Sequence, residues 1–205
     1  MEKETARMEA FSDGVFAIAI TLLVLDVHVP EQVISKAALL TELRGSWPYY
    51  LAFLLSFSSI YIMWVNHHKL FKQIYKRNSA ITFLNGFLLL LATSVSYPTA
   101  LLARYYDSPA QALVVQLYTG LFVLITLTYT LLWTLASKHQ DLLRPDLTPE
   151  AITQIKHTYR WGVAGHSLAF VTAFVAPPLA LLLSAALWTY WAFTSGRLEL
   201  THPKV

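Results

Sequence analysis

The 205-residue sequence contains no cysteine and few charged residues. Without cysteine, the chain has no disulfide scaffold, no thiolate metal site and no thiol nucleophile. Asp, Glu, Lys and Arg make up only 13% of the residues, whereas hydrophobic residues make up 56%. A soluble core of this size cannot hide so many apolar side chains, so the composition is typical of a membrane protein. The net charge of +3 is small and no basic stripe alternates with aromatic residues, so we expect no nucleic-acid partner.

Long apolar runs dominate the remaining sequence. Because a helix needs about 20 mostly apolar residues to cross a bilayer, these runs predict an all-α integral membrane protein with six transmembrane helices. The predicted spans are 9–28, 47–66, 80–103, 110–136, 159–176 and 179–195. We expect residues 1–205 to form a single six-helix domain embedded in the lipid bilayer.

Two loops between the predicted spans have helical features. The sequence 29–46 has room for a short interfacial helix. The loop before the fifth span predicts another short helix, with Thr148 as its N-cap, Pro149 at its first position and Glu150 in its first turn.

The distribution of lysine and arginine predicts the orientation in the membrane. With the N-terminus inside, twelve of the fifteen basic residues fall on the cytoplasmic side and three outside. The three outside are Lys36, Arg44 and Arg104. Basic residues concentrate in cytoplasmic loops, so we expect a multi-pass protein of the cell membrane with both termini in the cytoplasm.

The most distinctive segment is Arg7-Met8-Glu9-Ala10-Phe11-Ser12-Asp13, which leads directly into the first apolar run. Charged residues at the mouth of a membrane helix are costly and indicate a functional place. Only twelve uncharged residues separate Asp13 from Asp26, a rise of about 18 Å against a hydrocarbon core of about 30 Å. We therefore expect this helix to lie inside a bundle rather than in lipid.

The first helix has one narrow face of small, branched and hydroxyl residues. At about 100° per residue, Gly14, Ile18, Thr21 and Leu25 share this face, and Leu22 lies beside them. Such a face suits a helix that packs against copies of itself, although ordinary helix packing within one subunit explains the spacing equally well.

A second polar group ends the predicted second span. Trp64, His67 and His68 lie there, and Asn85 is a polar residue within the third span. Adjacent histidines do not share a helical face, so we expect no metal site. Arg7 has five donors and no acceptor, so we expect it to join these residues, Ser12 and Asp13 in a hydrogen-bonded network between the first three helices.

These residues resemble the transmembrane protein 175 family of potassium channels. The resemblance rests on the Arg7-x-x-x-Phe11-Ser12-Asp13 signature, the Trp64-x-x-His67-His68 pattern and Asn85, and it covers the whole chain. Animal members carry two six-span repeats and bacterial members carry one, so the chain resembles a bacterial member, which implies a homotetramer.

The resemblance also implies a pore lined by the first helix of each subunit. The constriction would fall on Ile18, with Thr21 and Leu25 toward the outside. No Thr-Val-Gly-Tyr-Gly loop is present, so a carbonyl selectivity filter is not expected. The implied permeant ions are K⁺ and other monovalent cations, and no cofactor is implied.

Other functions remain open at this stage. A secondary cation transporter would be expected to show paired broken helices, and Pro98 stands alone in the third span. A proton-conducting channel is a further alternative, since Asp13, His67 and His68 are ionisable. We expect no enzymatic activity, because the His, Asp and Ser residues form no convergent catalytic spacing.

Overall fold

Helices make up most of the chain that the computed structural model describes, which is residues 3–30 and 35–194. Eight α-helices lie in these two ranges: α1 Ala6–Leu22, α2 Lys36–Gly45, α3 Trp47–Gln73, α4 Ser79–Thr93, α5 Ser96–Tyr105, α6 Gln111–Lys138, α7 Pro149–Thr172 and α8 Pro177–Thr194. Short 3-10 turns follow α1 at Leu23–Asp26 and α6 at Gln140–Leu142. The prediction of an all-α protein is confirmed.

Four stretches of the described residues are long and apolar enough to cross a membrane. They are Ala6–Asp26, Trp47–Gln73, Ser79–Tyr105 and Gln111–Lys138, which correspond to the first four predicted spans. Helices α7 and α8 occupy the places of the fifth and sixth predicted spans but are not among these four stretches. The number of six transmembrane helices therefore stays a prediction. Residue 195, together with Arg197 and Lys204, lies outside the described residues, and the cytoplasmic position of both termini also stays a prediction.

The third predicted span is interrupted rather than continuous. Helix α4 ends at Thr93, and α5 begins at Ser96, two residues before Pro98. Proline has no N–H to donate to residue 94, and its ring crowds that carbonyl, so the helix breaks here. The Ser94 hydroxyl donates to the carbonyl oxygen of Leu90 at 2.8 Å, which ties the break to the helix before it.

The loop helix predicted before the fifth span is part of that span's helix. The Thr148 side chain accepts a hydrogen bond from the backbone N–H of Ala151 at 3.2 Å, which confirms the N-cap. However, α7 runs from Pro149 to Thr172 without interruption, so the prediction of a separate short helix is wrong. Helix α2 is the short helix that was predicted within the sequence 29–46.

Helix α6 lies at the centre of the packing, against α4, α5, α7 and α8. Its largest side chains, Tyr118, Phe122 and Trp133, are fully buried. The Tyr129 hydroxyl donates to the carbonyl oxygen of Met63 at 2.7 Å and so connects α6 to α3. Helix α1 lies at the edge of this bundle. The two α-helices with which it makes extensive contacts are α3 and α4.

Candidate functional site

Helix α1 has a buried face and an exposed face. Ser12, Phe16, Ala19 and Leu23 are buried and follow one another at helical spacing. This face packs on α3 and α4. The rest of α1 is exposed: 22% of the apolar 18-residue stretch of this span is buried, against 39–44% for the corresponding stretches of the other three candidate spans. The helix that bears the sequence signature is therefore the least enclosed of the four.

The exposed face carries the residues that the sequence analysis grouped together. The side chains of Ile18 and Leu25 are 59% and 76% exposed, and Leu22 is about half exposed. Gly14 and Thr21 are exposed as well. The Thr21 hydroxyl donates to the Ile18 carbonyl oxygen at 3.0 Å. Because its hydrogen is engaged within the helix, the hydroxyl oxygen presents its lone pairs to whatever faces α1.

Three buried polar side chains connect α1, α3 and α4, and we call them the polar cluster: Ser12, His67 and Asn85. Asn85 Nδ2 donates to Ser12 Oγ at 3.0 Å, and Ser12 Oγ donates to the Met8 carbonyl oxygen at 2.8 Å. Asn85 Oδ1 lies 2.8 Å from His67 Nε2. An amide oxygen only accepts, so His67 carries its hydrogen on Nε2.

The His67 ring is enclosed by aromatic side chains. Its centroid lies 5.4 Å from that of Phe16 and 4.5 Å from that of Phe71. Nδ1 is buried and has no hydrogen-bond partner in the described part of the chain. A hydrogen on Nε2 alone suits this arrangement, because a second hydrogen on Nδ1 would be a buried donor without an acceptor.

A second contact between α1 and α3 lies outside the polar cluster. Trp64 Nε1 donates to Asp13 Oδ1 at 2.8 Å at an exposed position. The indole N–H is the only donor that tryptophan has, so this bond fixes the ring toward the start of α1.

We expected Arg7 to contact these residues, but the structure does not bring it into contact with them. The Arg7 side chain is exposed, and among the described residues it makes no hydrogen bond or ion pair. The reason is helical geometry: Arg7 lies about 140° from Ser12 around α1 but only about 20° from Ile18. Arg7 therefore belongs to the exposed face. Phe11, which is 67% exposed, lies on the same face, and His68 is exposed at the end of α3.

One attachment of α1 was not predicted from the sequence. The Thr5 side chain is buried, and its hydroxyl lies 2.6 Å from Glu9 Oε1 and 3.3 Å from the Ile74 carbonyl oxygen, at the end of α3. Lys3 pairs with the same Glu9 carboxylate at 2.7 Å. The spacing of Thr5 and Glu9, one helical turn apart, was the only signal in the sequence.

No group of three or more His, Asp or Glu side chains that could hold a metal ion occurs in residues 3–30 and 35–194. The arrangement instead combines a polar cluster that joins three helices with a first helix that is open on its apolar side. These features define a multi-span α-helical membrane protein in which one face of the first helix is exposed.

Comparison with known proteins identifies the family. The model of the family described as endosomal/lysosomal potassium channel TMEM175 matches residues 7–96. A potassium channel of Chamaesiphon minutus is 40% identical over 196 residues, which cover 95% of this chain and 97% of that protein. A potassium channel of Streptomyces collinus is 37% identical over 191 residues, 93% of this chain and 92% of that protein. The chain belongs to the TMEM175 family, and the resemblance stated from its sequence is confirmed.

A solved structure agrees with this assignment. The crystal structure of a lysosomal potassium-selective channel TMEM175 homolog from Chamaesiphon minutus matches with a TM-score of 0.83 at 39% identity, over 93% of this chain and 97% of that one. The human endosomal/lysosomal proton channel TMEM175 is 28% identical over 203 residues, 95% of this chain but only 38% of the human protein. The chain thus has the TMEM175 channel fold, in a length that matches the bacterial relatives.

Proposed function

We propose that the chain forms a potassium-permeable cation channel in the cell membrane, as a homotetramer with both termini in the cytoplasm. The observation that carries this proposal is the similarity, over almost the full length, to proteins named potassium channels in two organisms. The exposed apolar face of α1 supports the tetramer, since a second copy of the chain would cover it.

In this proposal α1 lines the pore. Ile18 forms the constriction, Thr21 and Leu25 lie toward the outside, and Leu22 packs beside the ring that four copies of Ile18 make. An apolar ring of this kind closes a pore because it is too narrow and too dry for a hydrated ion. The exposure of Ile18 and Leu25 in the subunit supports their role, because a pore-lining side chain must be free of its own subunit.

Selectivity in this pore comes from hydroxyl groups and pore radius. The Thr21 hydroxyl, engaged as a donor with Ile18, offers oxygen lone pairs toward the exposed side of α1. Oxygen lone pairs are what a partly dehydrated monovalent cation requires. Four such hydroxyls give a modest preference for potassium over sodium.

The polar cluster and the bond from Trp64 to Asp13 hold the start of α1 to α3 and α4 rather than contact the ion. His67 and Asn85 are fully buried, which supports a positioning role. The position of Arg7 on the exposed face of α1 supports contact with a neighbouring subunit instead of the polar cluster.

Two other functions are tested against this one. A relative in humans is named a proton channel, so proton conduction is the first alternative. A secondary cation transporter is the second. Purified protein in a planar bilayer with mixed potassium, sodium and proton gradients separates all three. We expect single-channel steps with a reversal potential nearest that of potassium. A reversal at the proton potential assigns proton conduction, and flux without steps assigns a transporter.

The gate is tested by replacing Ile18 with a polar side chain of similar length. We expect Ile18→Asn to increase the open fraction or conductance severalfold, because four amides wet the ring. The matched control is Leu54→Asn: Leu54 is 61% exposed but belongs to α3 rather than to the proposed pore helix, and we expect no change in conductance. An Ile18→Asn channel that closes and conducts like the wild type rules out Ile18 as the gate.

The role of the Thr21 hydroxyls in ion selectivity is tested by Thr21→Ala. We expect the potassium-to-sodium permeability ratio to fall toward unity. Thr93→Ala is the control, because the Thr93 hydroxyl is also exposed and also donates to the carbonyl oxygen three residues earlier, that of Leu90 at 2.9 Å. An unchanged ratio in Thr21→Ala removes the hydroxyls from the account of selectivity.

A further inference from the structure

A cavity of about 520 Å³ lies away from α1, between the end of α3, α6 and the first turns of α7. Its volume lies within the range of about 300–1,000 Å³ that is usual for small-molecule sites. Lys72 and Gln154 line the cavity and are exposed, so the cavity reaches the surface. Its inner wall includes Leu70 and Trp133, which are buried.

The rim of the cavity is basic. Lys69, Lys72 and Arg144 line it, and the lining contains no carboxylate. Arg144 donates from Nε to Asp146 Oδ1 at 2.6 Å, so one carboxylate lies beside the rim although none lines the cavity. The two lysines belong to the last turns of Trp47–Gln73, a candidate membrane span. This end of a span is the level at which lipid headgroups lie.

The inner part of the cavity is apolar and aromatic. Trp133, Leu147, Ile155 and Trp191 form it. The Trp133 indole already donates to the Ile152 carbonyl oxygen at 3.2 Å, so its ring presents only an apolar surface to the cavity. A ligand that fills the site therefore has an anionic end and a hydrocarbon end.

Gln73 adds a requirement for a hydrogen-bond donor. It lines the cavity, and its Oε1 is buried without a partner in the described part of the chain. An unpaired buried acceptor costs about 1–3 kcal/mol, so a ligand that donates a hydrogen bond there gains affinity. A hydroxyl-bearing headgroup supplies such a donor.

We propose that this cavity binds an anionic phospholipid with hydroxyl groups on its headgroup. The phosphate lies between Lys69 and Lys72, a headgroup hydroxyl donates to Gln73, and the start of an acyl chain lies on Trp133 and Ile155. Basic pockets between membrane helices bind anionic headgroups by the same electrostatics. This site is separate from α1 and does not depend on the proposed channel function.

The test measures lipid binding rather than current. Purified wild-type protein in detergent is titrated with phosphatidylglycerol, and bound lipid is counted by native mass spectrometry. We expect Lys69→Gln with Lys72→Gln to weaken binding about thirtyfold, or about 2 kcal/mol at about 1 kcal/mol for each lysine. The matched control is Lys138→Gln with Lys156→Gln, which removes the same charge from exposed positions outside the cavity and leaves binding unchanged.

Two further sets of measurements test where the ligand binds and which chemical class it belongs to. Ala151 lines the cavity, so Ala151→Phe fills it without a change of charge and abolishes binding, whereas Ala151→Ser retains it. Equal losses in the two lysine pairs, or full binding by Ala151→Phe, overturn the proposed site. Binding of phosphatidylcholine with the same affinity overturns the anionic headgroup, and equally tight binding of soluble glycerol phosphate overturns a membrane lipid as the source. Elution volume and Tm confirm that each variant is folded.

Discussion

Removal of Asn85 tests how α1 is held to the rest of the helix bundle. Asn85 is 2% exposed and is the central member of the polar cluster, since it contacts both Ser12 and His67. In Asn85→Leu, the His67 Nε2–H becomes a buried donor without an acceptor. Ser12 is affected less, because its hydroxyl still donates to the Met8 carbonyl oxygen. Most of the cost therefore comes from His67.

The magnitude follows from these contacts. A stranded buried donor costs about 1–3 kcal/mol. Hydrogen bonds between membrane helices average about 0.6 kcal/mol and reach about 1.7 kcal/mol. We expect Asn85→Leu to lower the free energy of unfolding by about 1–3 kcal/mol. His67→Phe removes the stranded donor and keeps an aromatic ring between Phe16 and Phe71, so the double variant should be more stable than the sum of the two changes by about 1 kcal/mol.

The assay is a double-mutant cycle, with unfolding by sodium dodecyl sulfate in mixed micelles followed by circular dichroism. Thr128→Val is the control, because the Thr128 hydroxyl is buried but donates only within its own helix, to Leu124 at 2.8 Å. It should cost less than half as much as Asn85→Leu. A coupling energy between positions 67 and 85 of zero within error would refute the argument that their hydrogen bond stabilises the bundle.

Two further predictions concern α7. A Cβ added at Gly162 would meet the Trp191 ring at 2.8 Å, so Gly162→Ala should lower the free energy of unfolding by about 1–3 kcal/mol. At Gly86 nothing lies within 4 Å of an added Cβ, so Gly86→Ala should be neutral or slightly stabilising. Tm measurements that rank the two variants in the opposite order contradict this packing. Thr148→Ala removes the acceptor for the Ala151 N–H and should lower the free energy of unfolding by about 1 kcal/mol in the same assay. Thr148→Ser should restore most of this stability. A Thr148→Ala variant as stable as the wild type argues against the cap.

The sequence was sufficient to predict those parts of the fold that depend on neighbouring residues. Long apolar runs predict α3 and α6, and the pair Thr148 and Pro149 predicts where α7 begins. The break before Pro98 was also accessible from local chemistry, because proline disrupts the preceding turn. Hydropathy alone predicts an unbroken span here, because hydropathy does not respond to a single missing hydrogen bond.

The relative positions of helices were harder to predict. The sequence suggested that Arg7 joins the polar residues of α3 and α4, because charge and depth favour it. The rotation of α1 decided otherwise: Ser12 faces inward, so Arg7 and Ile18 face outward. The cavity beside Lys69 gave no sequence signal at all, because the residues that line it come from four helices and a loop between positions 66 and 191.

Helix α7 is one continuous helix that connects the loop ahead of Thr148 to α8. Its 24 residues extend roughly 36 Å at 1.5 Å per residue, without a break between the capped end at Thr148 and the tight contact of Gly162 with Trp191. A displacement of the loop ahead of Thr148 therefore meets no kink in α7 before the contact with α8, which lies about 20 Å further along the helix.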